Sequence, residues 1–493
     1  MLRGEYWYRF PWLLLMTALA LVGLGIAGIY AATCGGADPA PFWETLAAKQ
    51  LVWLAVSLVV FAAALIPSYT RLAHLSYWLY GISLVALAFL AGMRHLAVEI
   101  PGFVYPINHA YSWIRIPGTS QNLQPSELMK IAFIMSLAYY LRYRKNYRTF
   151  KGLLAPFLMA LVPTGLVLYQ PDLGTAMMFL PVLFLMLFAA GARGKHLLAI
   201  VLMGLAMVPV FYSSMRGYQR MRIDSWLLHG CAERLHFALA RPAAEETEAD
   251  KPPACGGMRM SSPAAPRRAR LSDERKADLV RQITGMWRFR LWRVATAVSW
   301  GTDKPEFVEA RQRLFAALDG GPGPASFDAL RFFFGSLLDD PGHQEFQAKI
   351  AVGAGGFAGR GWLEGTQTRY GLLPEAHTDF LFPTLAEQFG FVGAAGVVAL
   401  YALLCLLGID VSFSTTEPYG KLLAVGVVAL VAAQSYLNIA MSVGMMPITG
   451  IPLPLMSYGG SSLISSFLAL GLLCNVAVRR LYLIAPRPFE WRQ

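Results

Sequence analysis

The sequence predicts an all-α polytopic membrane protein of ten transmembrane helices with one large extracytoplasmic loop, and three observations predict it. Apolar stretches of about 20 residues, the length that spans a bilayer core, recur along the 493-residue chain. Hydrophobic residues make up 56% of it and charged residues only 15%, with a mean hydropathy of +0.46. Soluble domains carry roughly 25% charged residues, so too few are present to cover a water-facing surface. Finally, the lysines and arginines of the short loops collect on one side of the spans. A soluble multidomain protein, a disordered chain and a disulfide scaffold (5 Cys in total) are all excluded on these grounds.

The spans read as 10–32, 48–67, 72–92, 125–142, 153–171, 173–192, 196–214, 380–409, 421–445 and 460–483. The first is too long for a signal-peptide core, and Ala31-Ala32-Thr33-Cys34 is a weak processing site, so it is read as retained. Arg3, Arg9, Arg71, Arg142, Arg144, Lys145, Arg148, Lys151, Arg193, Lys195, Arg479, Arg480, Arg487 and Arg492 fall on one side. The opposite short loops hold little beyond Lys49, Arg94 and Arg115. Basic loops stay cytoplasmic, which places both termini inside. This topology absorbs most of the net charge of +12, which in a soluble chain would suggest nucleic acid. No nucleic-acid partner is expected.

Three regions follow: helices 1–7 over 1–214, an extracytoplasmic loop over 215–379, and helices 8–10 with a cytoplasmic tail over 380–493. Within the loop, 241–271 is rich in Pro, Ala and charge and reads as a linker. After it, apolar residues recur at helical spacing in 273–298 (Leu279, Ile283, Met286, Trp287), 305–318 (Phe307, Ala310, Leu314) and 326–338 (Phe327, Leu330, Phe334, Leu337). A small α-helical insert is expected, either a decoration without chemistry or a platform for a partner. Cys231 and Cys255 share this loop and can pair if the compartment is oxidising; Cys405 and Cys474 sit in spans and act as small hydrophobes.

Ionisable and polar groups at membrane depth are costly, so their clusters are where chemistry is sought. In the first, Ser112-Trp113-Ile114-Arg115 precedes Gln124-Pro125-Ser126-Glu127 and Lys130. Pro125 suits a first helical turn, with Gln124 or Ser126 as its cap. Glu127 and Lys130, three apart, share a helix face and either pair or divide between substrate and protein. Trp113 is a substrate contact or an interfacial anchor. The second cluster is the turn Gln170-Pro171-Asp172-Leu173-Gly174-Thr175, where Asp172 caps the next helix or meets substrate.

The third cluster, Glu375-Ala376-His377-Thr378-Asp379-Phe380, stands at the mouth of a span that carries Glu387. Half shielded from water beside Phe380, Leu381 and Phe382, the Asp379 carboxylate suits a general base, although Thr378 or Asp379 is also placed to cap the helix. The fourth runs from Pro447 through Pro452, Pro454 and Ser457 to Ser461. Its prolines and glycines imply irregular backbone, tolerated at membrane depth only inside protein or along a cavity. Its N–H groups and hydroxyls, Ser457 and Ser461 among them, are candidate anion ligands.

Together the stretches WIRI…LQPSELMK, QPDLGTAMMFLPVLFLMLFAAGAR, GHQEFQAKIAVGAGGFAGRG, GTQTRYGLLPEAHTDFLF, AEQFGFVGA and PITGIPLPLMSYGGSS closely resemble the SEDS family (shape, elongation, division and sporulation; the RodA/FtsW-like proteins). The resemblance covers about 10–222 and 342–485. It implies a ten-span peptidoglycan glycosyltransferase that polymerises lipid II into glycan strands outside the cytoplasmic membrane, beside a class B penicillin-binding transpeptidase. It puts Asp379 in the place of the family's essential aspartate and Trp113 in that of its outer-loop tryptophan. Gly365-Thr366-Gln367 and ITGIPLP look more like the rod-elongation branch than the division branch. Ser112 stands where the family commonly has arginine, and Ala348 where it has serine.

On this reading Asp379 is the base, and Arg220, Arg222 and Lys130 neutralise the leaving pyrophosphate, with a divalent cation (Mg2+ or Mn2+) as an optional helper. No His/Cys/carboxylate spacing specifies a closed metal site. Gln124, Glu127, Asp172, Glu375, His377 and Thr378 complete the candidate substrate contacts. Two other readings remain at this level: a flippase for lipid-linked precursors, and a non-catalytic scaffold for the transpeptidase.

Overall fold

The computed structural model describes residues 10–34, 41–96, 111–115, 122–144, 146–208, 211–212, 222–228, 231, 273–286, 289–290, 305–338 and 341–479. Arg220, the linker 241–271, Cys255 and Trp287 lie outside them. The chain divides into two compact units, residues 1–203 with 347–493, and residues 204–346.

The first unit is a helical bundle. In chain order it contains α1 (Trp12–Cys34), α2 (Leu46–Leu65), α3 (Tyr69–Leu96), α4 (Pro125–Leu141), α5 (Leu154–Tyr169), α6 (Leu173–Ala190) and α7 (Gly194–Ala206). The second unit supplies α8 (Asp273–Gly285), α9 (Pro305–Asp319) and α10 (Pro324–Leu338). Then follow α11 (Pro341–Gly355), α12 (Thr366–Arg369), α13 (Leu381–Phe413), α14 (Pro418–Ser442) and α15 (Gly460–Arg479).

Within the described residues each of the ten expected spans contains a helix. Among the described residues eight helices are long and apolar enough to cross a membrane, and α4 and α7, of 17 and 13 residues, are shorter than that. In α4 the shortness goes with enclosure: Pro125 through Glu127 and Met129 through Ala138 are all buried in protein. Such a helix meets little lipid and can carry charge.

Local chemistry starts the helices where it should. Thr45 caps α2 by accepting from the Ala48 N–H (3.3 Å), and Glu417 caps α14 from the Gly420 N–H (2.6 Å) ahead of Pro418. Inside the bundle α15 packs on α2, α13 on α1 and α14, and α14 on α4 and α6. At one end of the bundle Asn475 donates to the Ala64 and Pro67 carbonyls (2.7 and 2.6 Å). The other end holds the candidate site.

Two features depart from the expected pattern. A two-residue antiparallel ladder, β1 (Ile114–Arg115) with β2 (Asn122–Leu123), precedes α4, with Ile114 opposite Leu123 and Arg115 opposite Asn122. And the single span expected over 380–409 is α13 broken at Gly390 (φ +64°, ψ −160°), a conformation closed to residues with a Cβ. The segment 356–361 crosses the break. Arg360 and Gly361 N–H groups donate to the carbonyls of Glu387 and Gln388 (2.9 and 3.2 Å). Phe391 and Val392 N–H groups donate to those of Gly356 and Phe357 (2.8 and 3.2 Å). Four groups at the break are thereby re-paired, as a low-dielectric setting requires.

Residues 347–379, the end of the stretch read from sequence as a loop over 215–379, belong to the same compact unit as the bundle. Their backbone supplies the missing hydrogen bonds of α13.

The second unit has its own small core. Val280, Ile283, Leu314, Phe327, Leu330, Phe333 and Phe334 are buried together, so the three helical stretches expected there are helices sharing one apolar face. The first runs to Gly285, residues 289–290 are helical again, and 287–288 and 291–298 of the expected stretch lie outside the described residues. Cys231 is buried in the same cluster with its Sγ 3.6 Å from Met286 Sδ.

Candidate active site

The loop that presents Asp379 is built on one strained residue. Glu375 has φ +51°, the left-handed region that non-glycine residues enter at a cost of roughly 1–2 kcal/mol. Its carbonyl then accepts from three successive N–H groups, those of Thr378 (3.2 Å), Asp379 (3.2 Å) and Phe380 (3.3 Å). The Thr378 hydroxyl donates to the Glu375 carboxylate (3.0 Å). Neither Thr378 nor Asp379 caps α13, whose N-cap residue is Phe380 and lacks a side-chain cap. The capping explanation for Asp379 is therefore set aside.

The carbonyls of the same three residues are clamped from the other side. His377 O accepts from Tyr458 N–H (3.0 Å), Thr378 O from the Ser457 hydroxyl, and Asp379 O from Asn438 Nδ2 (2.8 Å). Asn438 is fully buried on α14, and its Nδ2 also donates to Ile451 O (2.7 Å). The irregular segment 447–459 thus serves as the wall against which this loop is moulded. The expected apolar wall is present too: Phe380 packs fully buried among Ala348, Leu373, Met441 and Ile448. Asp379 itself is half-buried. Its backbone is fixed on both sides.

Further back, Glu387 anchors the run leading to this loop. Wholly buried, its carboxylate accepts from the N–H groups of Gln367 (2.7 Å) and Thr368 (3.1 Å) and from the Thr368 hydroxyl (2.7 Å). Those are the exposed N–H groups at the start of α12, so a charged acceptor there is favoured. Gly365-Thr366-Gln367, noted from sequence as a branch feature, is the strand of chain that docks on Glu387.

The first and second sequence clusters meet in space. Gln124, the N-cap residue of α4, does not cap it; its Nε2 donates to Asp172 Oδ2 (2.9 Å). Asp172 caps α6 through Thr175 N–H (3.0 Å). The Ser461 hydroxyl donates to Asn122 O (3.0 Å) and accepts from Gln124 N–H (3.2 Å). Lys130 pairs with Glu127 at 2.8 Å, each 4% exposed, and the other Glu127 oxygen accepts from Ser465 (2.8 Å). A buried pair this well bonded fixes the register of α4 against α15. Lys130 also reaches Gln434 Oε1 (3.5 Å), whose Nε2 donates to Pro452 O (2.9 Å). One polar seam runs from Asp172 through Glu127, Lys130, Gln434 and Asn438 to Asp379.

Most candidates thus converge on one end of the bundle, though several do so as scaffolding. The hydroxyls of Ser457 and Ser461 are engaged with backbone. Trp113 is half-buried beside Ser112, whose hydroxyl donates to Gln170 O (3.3 Å). Burial pushes the His377 imidazole below its usual value of 6.5, with Glu375 opposing that shift, so the ring is neutral at pH 7. It faces Tyr458 at 5.9 Å between ring centres. Arg222 opens the helical segment 222–228 in the other unit. Among the described residues no three His, Cys, Asp or Glu side chains come together as a metal cage.

Sequence reading missed Asn438 and Gln434. The available signal was their spacing: four residues apart in an apolar span, they fall on one face, and an amide at membrane depth needs a partner.

Comparison with known proteins gives a consistent assignment. The FtsW/RodA/SpoVE family model, described as cell cycle protein, matches residues 11–230 and 331–482. A peptidoglycan glycosyltransferase RodA of Treponema pallidum is 31% identical over 484 residues, covering 96% of this chain and 98% of that protein. A probable peptidoglycan glycosyltransferase FtsW of Geobacter metallireducens is 30% identical over 386 residues, 78% of this chain and 74% of that one. A solved structure titled for the coordination of polymerization and crosslinking by a peptidoglycan synthase complex superposes with a TM-score of 0.59 at 26% identity, over 96% of this chain and 98% of that one.

Proposed function

This chain belongs to the FtsW/RodA/SpoVE family of multi-pass membrane proteins, and on that premise we propose that it is a peptidoglycan glycosyltransferase polymerising lipid II. The observation that carries the reading is the half-buried Asp379 carboxylate on a backbone held by Asn438, Ser457, Tyr458 and Glu375. Chain extension needs a sugar hydroxyl of one lipid-linked saccharide to attack the anomeric carbon of another. The C–O bond to the lipid pyrophosphate breaks as the new glycosidic bond forms. Asp379 takes the hydroxyl proton, a role worth typically ~10²–10⁴-fold, and attack opposite the leaving group inverts the anomeric carbon.

Countercharge for the pyrophosphate is assigned to Arg220 and Arg222, close in sequence to the last span of the first half. Lys130 is left out of that role because its charge is already matched by Glu127 at 2.8 Å. With no carboxylate cage among the described residues, no step is routed through a divalent cation. The basic loops support a cytoplasmic position for both termini and an outer one for Asp379, where the glycan grows. A class B penicillin-binding transpeptidase is the proposed partner, consistent with the synthase complex this fold superposes on. Work in cell elongation is favoured by the Gly365-Thr366-Gln367 run.

The test is purified protein given lipid II, with and without its transpeptidase. Glycan polymer is the expected product. Lipid II that is only moved across the bilayer would favour a flippase, for which broken backbone at 447–459 also has precedent; no product with tight transpeptidase binding would favour a scaffold. Asn438 offers a finer check. Asn438→Ala strips the hydrogen bonds from two carbonyls, at about 1–3 kcal/mol for each buried group left unpaired. Turnover is expected to drop about tenfold or more with little change in KM, because Asp379 is displaced rather than removed.

A further inference from the structure

The end of the bundle opposite Asp379 carries a patch that the polymerase reading does not use. No Asp or Glu occurs between Glu127 and Asp172, nor between Asp172 and Asp224. The α4–α5 and α6–α7 connections lie in these two acid-free stretches. They are also brought side by side. The Phe150 ring meets the His196 ring (6.2 Å, edge-on), and Arg148 Nη2 lies 3.9 Å from where a Cβ on Gly191 would be.

The fold therefore pools Arg142, Arg144, Arg148, Lys151, Arg193 and Lys195, and among the described residues no carboxylate forms a salt bridge with any of them. All but Arg142, which is half-exposed, face solvent. Glu417, an acid at this end of the bundle, has its carboxylate bonded to Gly420 N–H. Two of the guanidiniums rest on tyrosine rings: Arg142 over Tyr139 (3.8 Å) and Arg144 over Tyr140 (4.3 Å), with a bond to the Tyr140 hydroxyl (3.2 Å). Stacking holds the fork flat and leaves other N–H groups to donate. Tyr143 (72% exposed) and Phe150 (56%) flank the cations, side chains suited to the boundary between headgroups and acyl chains.

A topology signal needs only charge on the correct side. Guanidiniums preset on rings, two loops joined into one acid-free face, and exposed aromatic flanks form a surface shaped for phosphodiesters at headgroup depth. We propose that this face is a docking site for anionic phospholipid headgroups.

The full-length protein is reconstituted in phosphatidylcholine vesicles containing a minor share of phosphatidylglycerol, then extracted in mild detergent. Lipid that stays with it is quantified by mass spectrometry. Several-fold enrichment of phosphatidylglycerol over the vesicle ratio is expected, weakening as salt rises. The variant Arg148→Gln/Lys151→Gln/Arg193→Gln/Lys195→Gln should lose most of that enrichment and approach the vesicle ratio. If the wild type carries the two lipids in the vesicle ratio, the charges serve orientation alone and the proposal falls. It falls equally if the fourfold variant enriches as the wild type does. Loss of enrichment on adding inorganic phosphate, but not chloride of equal ionic strength, would reassign the face to free phosphate.

Discussion

Replacing Asp379 by Asn is expected to cut lipid II polymerisation by at least ~10²-fold while leaving the fold and substrate affinity nearly intact. The substitution keeps size and shape and removes one property, the ability to take a proton at neutral pH. The backbone bonds that hold the residue come from Asn438 Nδ2 (2.8 Å) and the Glu375 carbonyl (3.2 Å), neither of which involves the side chain. Those bonds remain in the variant, so the loop should keep its place and KM should move far less than kcat. A variant polymerising near the wild-type rate would take Asp379 out of the chemistry and leave the seam of polar residues as scaffold only.

A large effect on stability is expected at Gly390. A Cβ there would stand 2.3 Å from Gly359 N and 2.6 Å from Phe357 O. Both atoms are backbone in a segment tied to the broken helix by four hydrogen bonds, so neither can swing aside. Gly390→Ala combines a forbidden conformation, about 1–3 kcal/mol, with overpacking of about 1–3 kcal/mol more. Against a total stability of about 5–15 kcal/mol that is a severe loss. Thermal unfolding in detergent should shift down by several degrees, with activity falling because Glu387, three residues away, anchors the run of chain that leads to Asp379. Gly396→Ala on the same helix is the control: a Cβ there has nothing within 4 Å. It should be neutral or slightly stabilising. Equal behaviour of the two variants would mean that the break in α13 is not needed.

Much of this was legible without coordinates because the bilayer imposes strong, local rules. A span announces itself by length and hydropathy, and orientation by where Lys and Arg fall. A turn such as Gln170-Pro171-Asp172 declares its own cap. Asp379 stood out as a candidate because a carboxylate next to Phe380 and Leu381 has no packing reason to be there. The same logic paired Glu127 with Lys130.

What stayed hidden depends on contacts between residues tens to hundreds of positions apart. Sequence alone determined that the chain crosses a membrane repeatedly and that an acidic loop meets its eighth span. Tertiary structure alone decided that 447–459 and Asn438 together clamp the three carbonyls of that loop, that the Ser457 and Ser461 hydroxyls bond to backbone, and that the eighth span breaks at Gly390. The physical reason is that a backbone group inside a membrane protein must find a partner, and which partner it finds depends on what the fold brings within 3 Å.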